Sequence, residues 1–435
     1  MKKILILFCF FVSSNLFAQS FQWQRLSNAP FVSSRYEDMI FINSNTGWGL
    51  HAGYPFLAKT TNAGATFDSI PLNSLPIGVR SIGFLDLNIG IIGTLDTSHI
   101  LYRTTNGGYN FSEVIYSLPE FKKGLCGITQ IPPNTFYAVG RYSGPALAIK
   151  STDKGVTWID LHIDSSLVTR LVDTYFSDTL HGFVVGNKGG TTSDNGKAVV
   201  LYTTDGGVTW INRFTGTIPG YLCWKTDFRS EQFGYVACEN FNGNPPGYLL
   251  TNNGGVNWTF YDIPNAMDFD VEGIGFLDQS TGWIGGWGGL NGPTYQTTNG
   301  GTNWTVSNFG YNINRFQFIN DTLAYAVGKT FYKYSRITGI HQISTLIPVN
   351  FLLEQNYPNP FNPSTKIKFS VHQSSEIILK VFDLSGKEIA VLVNENLQPG
   401  EYETAFNGEN YSSGVYYLKM IAGSYSETKK MTLLK

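Results

Sequence analysis

A short motif that occurs six times at a nearly constant spacing constrains the fold of this chain more than any other feature. We call it the box, and its copies are KTTNAGATF (59–67), RTTNGGYNF (103–111), KSTDKGVTW (150–158), YTTDGGVTW (202–210), LTNNGGVNW (250–258) and QTTNGGTNW (296–304). Their final aromatic residues lie 44, 47, 52, 48 and 46 positions apart. Self-similarity at this period predicts an array of repeated units that bury their apolar faces against one another.

The residue types within the box predict a tight turn between two strands. Each copy has an Asx side chain that can bind the backbone amides of a turn, followed two positions later by a glycine that adopts positive φ without steric cost. These residues are Asn62, Asn106, Asp153, Asp205, Asn253 and Asn299. The final aromatic then opens the next strand and packs on a neighbouring sheet. We interpret these turn residues as structural.

A second signature, a hairpin upstream of each box, occurs seven times. Its copies span 40–50, 83–93, 130–140, 175–186, 227–238, 275–286 and 317–328. The seventh hairpin continues into FYKYSR (331–336) but no box follows, whereas FQWQRLSN (21–28) supplies a spare strand at the other end of the chain. Closing the ring with that strand removes the free sheet edges. The prediction is an all-β chain with a seven-bladed β-propeller over residues 19–336, its last blade completed by the N-terminal strand.

The aromatic residues that would close the blades are Trp23, Phe67, Phe111, Trp158, Trp210, Trp258 and Trp304. The box resembles the Asp-box, or bacterial neuraminidase repeat, S/T-x-D-x-G-x-T-W, which Ser151–Trp158 and Thr203–Trp210 match fully. The other four copies replace Asp, Thr or Trp by Asn, Asn or Phe. The array is similar to sialidase-like propellers and to those of photosystem II assembly factors. That resemblance implies that the box is a structural turn on the face opposite the functional one.

Composition excludes several classes of protein. Charged residues make up 14% of the chain and the formal net charge is −2. This composition predicts no excess of positive charge that would attract nucleic acid or an anionic membrane surface. Aromatic residues at 15% exclude a disordered chain. No metal-ligand or phosphate-loop motif is present, so the sequence predicts no cofactor and no metal site.

The first eighteen residues are typical of a secretory signal peptide. Lys2 and Lys3 precede an apolar run, Ile4–Val12, and the small residue Ala18 marks the expected cleavage site. The run is shorter than the roughly 20 residues that span a bilayer. We expect an exported chain without a transmembrane segment, and a monomer.

Export places the remaining cysteines in a compartment that permits disulfides. Cys223 and Cys238 flank a hairpin whose turn is closed by Phe228 and Phe233, so the two cysteines should lie directly opposite one another. They either form a disulfide or remain two small buried thiols, and intact mass with and without reduction distinguishes these alternatives. Cys126 is left over and is expected to be buried.

The last part of the chain has a different pattern. Residues 337–350 are interpreted as a linker, and residues 351–435 hold several strand-like runs separated by glycines, which predicts a small Ig-like β-sandwich. Four segments of this part resemble the type A C-terminal sorting domain of the type IX secretion system: QNYPNPFNPSTKI, VFDLSGKEI, SSGVYYLKM and TKKMTLLK. Its motif residues here are Tyr357, Pro358, Asn359, Pro360, Phe361, Asn362, Pro363, Gly386, Gly414, Lys429 and Lys430. The resemblance implies a Bacteroidetes-type bacterium and a secreted or surface-attached protein that engages the type IX machinery.

The propeller itself carries no recognisable catalytic constellation. A ligand is expected on the face away from the boxes, around the mouth of the central channel, where aromatic and polar groups suit a sugar or peptide surface. The candidate residues on that face are Tyr54, Phe56, Arg80, Tyr142, Trp224, Phe241, Glu272, Trp287 and Arg315.

Two functions follow from this reading of the chain. The first is a secreted or cell-surface module that binds an extracellular glycan or protein. The alternative is a secreted glycoside hydrolase of sialidase-like or xyloglucanase-like type. A sialidase requires arginines for its substrate's carboxylate, and Arg35, Arg80, Arg170 and Arg315 lie near the predicted face without the family's N-terminal arginine motif.

Deleting residues 351–435 should trap the protein in the periplasm, because the predicted sorting domain is the part that the secretion machinery recognises. Immunoblots of periplasmic, surface and medium fractions measure this. Normal surface display of the truncated chain would refute the assignment of the tail.

Overall fold

The computed structural model describes residues 21–435 except 54, 77, 97, 116–123, 141–143, 190–194, 264–269, 289–291, 308, 337–339 and 410. The chain forms two compact units, one of Gln22–Ser335 and one that contains Arg336–Lys435. Within the described ranges, no helix has the length and apolar character needed to cross a membrane. The predicted signal peptide, residues 1–18, lies outside the described residues.

The first unit consists of four-stranded antiparallel sheets, and six of them each use four consecutive strands. The first sheet has β2 (Tyr36–Phe41), β3 (Gly47–His51), β4 (Phe56–Thr60) and β5 (Asp68–Pro71), and the second has β6 (Val79–Phe84), β7 (Gly90–Thr94), β8 (Leu101–Thr104) and β9 (Ser112–Glu113). The third sheet has β10 (Leu125–Ile131), β11 (Thr135–Gly140), β12 (Leu147–Ser151) and β13 (Ile159–Asp160), and the fourth has β14 (Arg170–Phe176), β15 (Gly182–Lys188), β16 (Lys197–Thr203) and β17 (Ile211–Thr215). The fifth sheet has β18 (Tyr221–Phe228), β19 (Gly234–Asn240), β20 (Gly247–Thr251) and β21 (Thr259–Asp262), and the sixth has β22 (Asp270–Phe276), β23 (Gly282–Trp287), β24 (Tyr295–Thr297) and β25 (Thr305–Val306). The first strands of successive sheets contact one another around a ring, so each is the inner strand of its sheet.

The last sheet of this unit joins the two ends of the propeller. Its strands, from outer to inner, are β1 (Phe21–Arg25), β28 (Phe331–Arg336), β27 (Leu323–Val327) and β26 (Arg315–Asn320). The N-terminal strand therefore completes the sheet, as the sequence predicts. Trp23 on β1 is 8% exposed, stacks on Phe309 at 4.9 Å and meets the edge of Trp283 at 5.7 Å.

Aromatic contacts connect most of the neighbouring sheets, whereas among the described residues the second and third sheets meet through aliphatic side chains that include Ile91 and Ile128. At the aromatic junctions, a residue on the second strand of one sheet packs on a phenylalanine at or near the end of the inner strand of the following sheet. Trp48 stacks on Phe84 at 3.7 Å and Tyr325 stacks on Phe41 at 3.6 Å, the latter across the closing contact. The same contact recurs in the pairs Tyr137–Phe176, Phe183–Phe228, Tyr235–Phe276 and Trp283–Phe318. Because neighbouring sheets cover both faces, second strands such as β3 and β11 are buried along their whole length.

Each box is a hydrogen-bonded turn between the third and fourth strands of its sheet. In the box of residues 150–158, Asp153 accepts hydrogen bonds from the backbone amide of Thr157 at 2.9 Å and from its hydroxyl at 2.6 Å. Asparagine can replace aspartate because its side-chain oxygen accepts the same amide bond, as Asn106 does from Asn110 at 3.0 Å. The amide of Lys154, at φ 65°, donates to the carbonyl of Asn134 in the hairpin turn of the same sheet. Box and hairpin turns therefore lie together, at the end of the sheet opposite the start of the inner strand.

The predicted blade-closing aromatics differ in burial. Trp23, Trp158, Trp258 and Trp304 are buried, whereas Phe67, Phe111 and Trp210 are partly exposed.

The cysteines lie in the sheet register that their spacing predicts. Cys223 and Cys238 are directly opposite on β18 and β19, with their sulfur atoms 3.4 Å apart, and both are buried thiols in this structure. Cys126 is also a buried thiol.

The second unit is a sandwich of two four-stranded sheets. One sheet has the order β29 (His341–Ser344), β34 (Gly400–Asn407), β31 (Ser364–Val371) and β30 (Leu352–Leu353), and the other has β33 (Glu388–Leu397), β32 (Ser375–Phe382), β35 (Gly414–Ala422) and β36 (Tyr425–Leu433). Their facing side chains form one core that includes Ile367, Leu379 and Leu418. Strand β29 falls in the segment predicted to be a linker, so that prediction missed a short edge strand whose pairing with β34 only the folded sandwich supplies.

Replacing Trp23 by alanine should lower the free energy of unfolding by roughly 3–5 kcal/mol, because a large buried ring is removed from the closing sheet. The matched control is Phe31→Ala in the same N-terminal segment, where the ring is 57% exposed and its loss should cost less than about 1 kcal/mol. Denaturant unfolding of both variants measures the difference. An unchanged midpoint for Trp23→Ala would contradict closure of the ring by β1.

Candidate functional site

The inner strands begin at the end of the channel that faces away from the boxes, and we call this end the mouth. In the first six sheets, the inner strand has a register shift close to its start, where its pairing with the second strand is interrupted. A bulge of this kind leaves a residue unpaired and changes the direction of its side chain. The residues at these bulges are Glu37, Arg80, Cys126, Val172, Trp224, Lys225 and Glu272.

Two arginines at the mouth share one carboxylate. Arg80 donates from Nη1 to Oε2 of Glu37, and Nη2 of Arg35 lies 3.8 Å from the same oxygen. Arg35 also donates from Nη2 to Oε1 of Glu272 at 3.1 Å. Burial alone would lower the pKa of Arg80, but Glu37 and Glu272 raise it above its usual value. Both guanidinium groups are therefore paired with the chain's own carboxylates.

Each of these guanidinium groups also lies over an indole ring. The Cζ atom of Arg35 is 5.1 Å from the ring centre of Trp287, and that of Arg80 is 5.3 Å from the ring centre of Trp224. Such cation–π contacts add roughly 0.5–2 kcal/mol each and fix the planes of both partners. We call the residues joined in this way the mouth arc: Trp287, Arg35, Glu272, Glu37, Arg80 and Trp224.

Below the mouth arc, one arginine crosses the channel and connects three sheets. Arg315, on β26, donates from Nε to Asp38 at 2.8 Å and from Nη1 to Asp173 at 3.1 Å. Lys225 adds a second cation, with its Nζ atom 3.9 Å from Asp38. We call Asp38, Asp173, Lys225 and Arg315 the belt, and its two carboxylates are almost completely buried. The belt is a buried network of two positive and two negative groups.

Burial and neighbouring charges both act on the pKa values of the belt. For Asp38, burial would raise the pKa, but Arg315 and Lys225 hold it below its usual value. For Lys225, burial and the nearby charge of Arg315 lower the pKa. The carboxylates also bind backbone across sheet boundaries, since Asp173 accepts from the amide of Thr226 at 3.0 Å. The belt therefore stabilises the junctions between sheets as well as its own charges.

A group of three carboxyls lies beside the mouth arc. Glu239, at the mouth end of β19, is 5% exposed, and its Oε2 atom has no hydrogen-bond partner. Burial, together with Glu272 and Asp270, raises the pKa of Glu239 well above its usual range. Burial and Glu272 also raise the pKa of Asp270. The raised pKa of Glu239 favours its protonated form, beside the Glu272 carboxyl that pairs with Arg35 in the mouth arc.

The structure brings together part of the predicted ligand face. Arg80, Trp224, Glu272, Trp287 and Arg315 belong to the mouth arc or the belt. Phe241 follows β19 at the mouth and is 37% exposed. Phe56, another candidate on that face, is partly exposed and packs against His51 and Tyr36. Tyr54 and Tyr142 lie outside the described residues.

Sequence reasoning missed the carboxylates of the belt and the acid Glu239. A usable signal existed, because Asp38, Asp173, Lys225 and Arg315 each stand three positions before the inner-strand phenylalanine of their repeat. Equivalent positions in a ring of repeats converge on the axis, so charges at this position must meet. Glu239 carries no such signal. In the described part of the chain, no group of three or more His, Cys, Asp and Glu side chains could hold a metal ion.

The second unit is identified by its sequence family. Residues 355–433 match the model of the secretion system C-terminal sorting domain. The tail is a type IX secretion sorting domain. It indicates export, with secretion or attachment to the cell surface, and it implies interaction with the type IX machinery. Within the sorting domain, the motif residue Phe361 is buried and pairs with Leu433.

Comparison with solved structures confirms the all-β propeller class. YCF48 bound to D1 peptide is 15% identical, with a TM-score of 0.52, over 72% of this chain and 96% of that one. PorZ, a surface component of the type IX system of Porphyromonas gingivalis, is 11% identical, with a TM-score of 0.50, over 92% of this chain and 60% of its own. The GH74 xyloglucanase of Xanthomonas campestris is 12% identical, with a TM-score of 0.50, over 81% and 60% of the two chains. No curated protein sequence matches the chain.

Replacing Arg315 by methionine should destabilise the propeller by roughly 3–5 kcal/mol, because Asp38 and Asp173 would remain buried without their main cation. Adding Asp38→Asn and Asp173→Asn should recover part of this loss, whereas Asp321→Ala, which breaks an exposed pair with Arg229, should cost less than about 1 kcal/mol. Denaturant unfolding measures all of these variants. A loss in Arg315→Met that the asparagines do not reduce would show that the arginine acts by packing instead of charge.

Proposed function

We propose that the propeller is a secreted or surface-displayed binding module that holds an extracellular glycan or protein ligand at its mouth. The sorting domain delivers it to the outside through the type IX system. The observation that carries this proposal is the state of the mouth arginines, which are paired with carboxylates of the same chain.

A neutralised mouth favours binding over sialidase-like hydrolysis. A sialidase needs guanidinium groups that are available to its substrate's carboxylate, but Arg35, Arg80 and Arg315 already contact Glu272, Glu37 and the belt aspartates. Displacing these carboxylates would leave them buried and unpaired, at a cost of several kcal/mol. A ligand therefore meets a preformed and nearly neutral surface, which suits recognition by stacking and hydrogen bonding.

The exposed aromatic rings at the mouth supply the stacking surface. Trp287 and Phe241 are each 37% exposed, and the indole of Trp287 has one face held by Arg35. A ring fixed in this way loses little conformational entropy when a sugar ring or an apolar side chain packs on it. Similarity in fold to a propeller captured with a peptide, YCF48, and to a surface component of the type IX system, PorZ, supports the same proposal.

Binding should depend on Trp287. The purified chain is screened on a glycan array and in pull-downs with extracellular material, and Trp287→Ala should weaken the strongest interaction at least about tenfold, since one stacked ring contributes roughly 1.5 kcal/mol. The control is Val208→Ala, which removes an exposed apolar group from a box on the opposite face. Equal loss in both variants, or none in Trp287→Ala, would contradict a ligand at the mouth.

One observation favours the alternative function, a glycoside hydrolase. Such enzymes combine a protonated carboxylic acid with a nearby carboxylate. Glu239, whose pKa is raised by burial and by Glu272 and Asp270, and the arginine-paired Glu272 provide two such carboxyl groups beside the mouth arc. The pairing of Glu272 with Arg35 weakens it as a base or nucleophile, which is why binding remains the preferred proposal.

A panel of glycosidase substrates decides between the two functions. If the chain hydrolyses one of them, Glu239→Gln should remove the activity, because glutamine has the size of the acid but no proton to give. Binding that persists in Glu239→Gln, with no turnover of any substrate by the unmodified chain, supports the binding module.

A further inference from the structure

A cavity of about 200 Å³ lies in the channel on the box side of the belt. Its wall combines polar groups, among them Thr129, Gln130, Thr226 and Asp227, with an apolar patch that includes Ile82, Ile128 and Phe316. Two residues of the belt, Asp38 and Arg315, form part of its wall and separate it from the mouth.

Several polar side chains in the wall already form hydrogen bonds that join neighbouring sheets. Thr129 donates to the carbonyl of Thr174 at 2.6 Å, which joins two neighbouring sheets. Gln317 forms two hydrogen bonds, of 2.7 and 2.8 Å, with the backbone of Phe41, which joins the first and last sheets. Thr226 is different, because it is 4% exposed and its hydroxyl oxygen has no hydrogen-bond partner. An unpaired buried hydroxyl costs about 1–3 kcal/mol, so a guest that pairs with Thr226 would recover that energy.

The charges of the channel do not balance. Asp38 and Asp173 are matched by Arg315 and Lys225 in the belt, whereas Asp227 has no ion pair among the described residues. Its carboxylate accepts one backbone bond, from the amide of Phe228 at 2.8 Å, and faces the hydroxyl of Tyr235 at 3.5 Å. When Asp227 is ionised, the channel therefore carries one uncompensated negative charge in the wall that also contains the unpaired hydroxyl of Thr226.

We propose that this cavity binds a small primary ammonium ion, with Asp227 as its counter-ion and the hydroxyl of Thr226 as a hydrogen-bond acceptor. An ammonium group has hydrogen atoms to donate to both oxygens, and the apolar patch accommodates a short alkyl chain. A divalent metal is a poorer match, since the described side chains hold no cluster that could ligate one. The same group can arrive as a free amine or as the end of a lysine side chain from a partner.

Occupancy should depend on pH through Asp227. Burial raises the pKa of Asp227 to about 6, with Asp173 acting in the same direction and Arg315 and Arg229 in the opposite one. The hydroxyl groups of Tyr235 and Tyr175 are the other titratable groups that interact with it, and burial keeps both protonated at neutral pH. The carboxylate is therefore available above about pH 6 and is lost below it.

Titration calorimetry and thermal shift on the full chain, at constant ionic strength, test the proposal with methylammonium chloride. We expect saturable binding and a raised melting temperature at pH 7.5, and binding at least about tenfold weaker at pH 5. Sodium chloride and the bulky tetramethylammonium ion should produce neither effect. Nα-acetyl-lysine amide presents the same group on a longer stem, and tighter binding than methylammonium would assign the site to a side chain of a partner.

Three variants distinguish binding in this cavity from a general effect of the protein's charge on the affinity for ammonium ions. Asp227→Asn should abolish the binding, and Thr226→Val should weaken it about tenfold, since a hydrogen bond to a charged group contributes roughly 1.5–3 kcal/mol. Glu231→Gln removes one negative charge from an exposed turn of the same sheet and should leave the affinity unchanged. Absence of binding at pH 7.5, equal binding of tetramethylammonium, or unchanged affinity in Asp227→Asn would each overturn the proposal and leave the cavity to water.

Discussion

The aromatic contact between one sheet and the next is the interaction on which the rest of this propeller depends. A four-stranded sheet with two apolar faces is not stable alone, and each one here is covered by side chains from both neighbours, which are aromatic at most junctions, as in Trp48 on Phe84 and Tyr325 on Phe41. Because the second of these pairs joins the last sheet to the first, the contact closes on itself. Stability is thus a property of the complete ring, and the N-terminal strand is part of that condition.

Packing the sheets face to face determines what happens on the axis. The inner strands converge there, and any polar side chain at an equivalent position of several repeats meets its counterparts in a space with little water. In this chain the charged side chains on the axis form ion pairs, in which Arg315 and Lys225 neutralise Asp38 and Asp173. Bulges one residue earlier direct Glu37, Arg80 and Glu272 to the mouth, where the same rule of internal pairing holds. The proposed ligand surface therefore follows from the pairing of charges within the ring.

The sequence predicts the architecture well because turns and periods are local properties. Box spacing, hairpin count and the spare N-terminal strand depend on residues close together in the chain, and each corresponds to a sheet element in the structure. Phe56 and Glu239 show the limit of this reasoning, since the packing of the first and the raised pKa of the second depend on residues of other strands. The belt lies between these cases, because its members share a repeat position but their pairing needs the closed ring. The strand β29 was missed because its only partner is β34, which lies far along the chain.

The order of strands in the closing sheet also has a mechanical meaning. Strand β28 leads directly into the sorting unit, so any force applied to the propeller through the tail reaches β28 before any other strand. It is flanked by β1 on one side and β27 on the other. Without β1 it would be an edge strand that can peel away by breaking one ladder of hydrogen bonds. With β1 in place, the hydrogen bonds of β28 to both β1 and β27 must break together. The N-terminal strand therefore protects the strand that such a force reaches first.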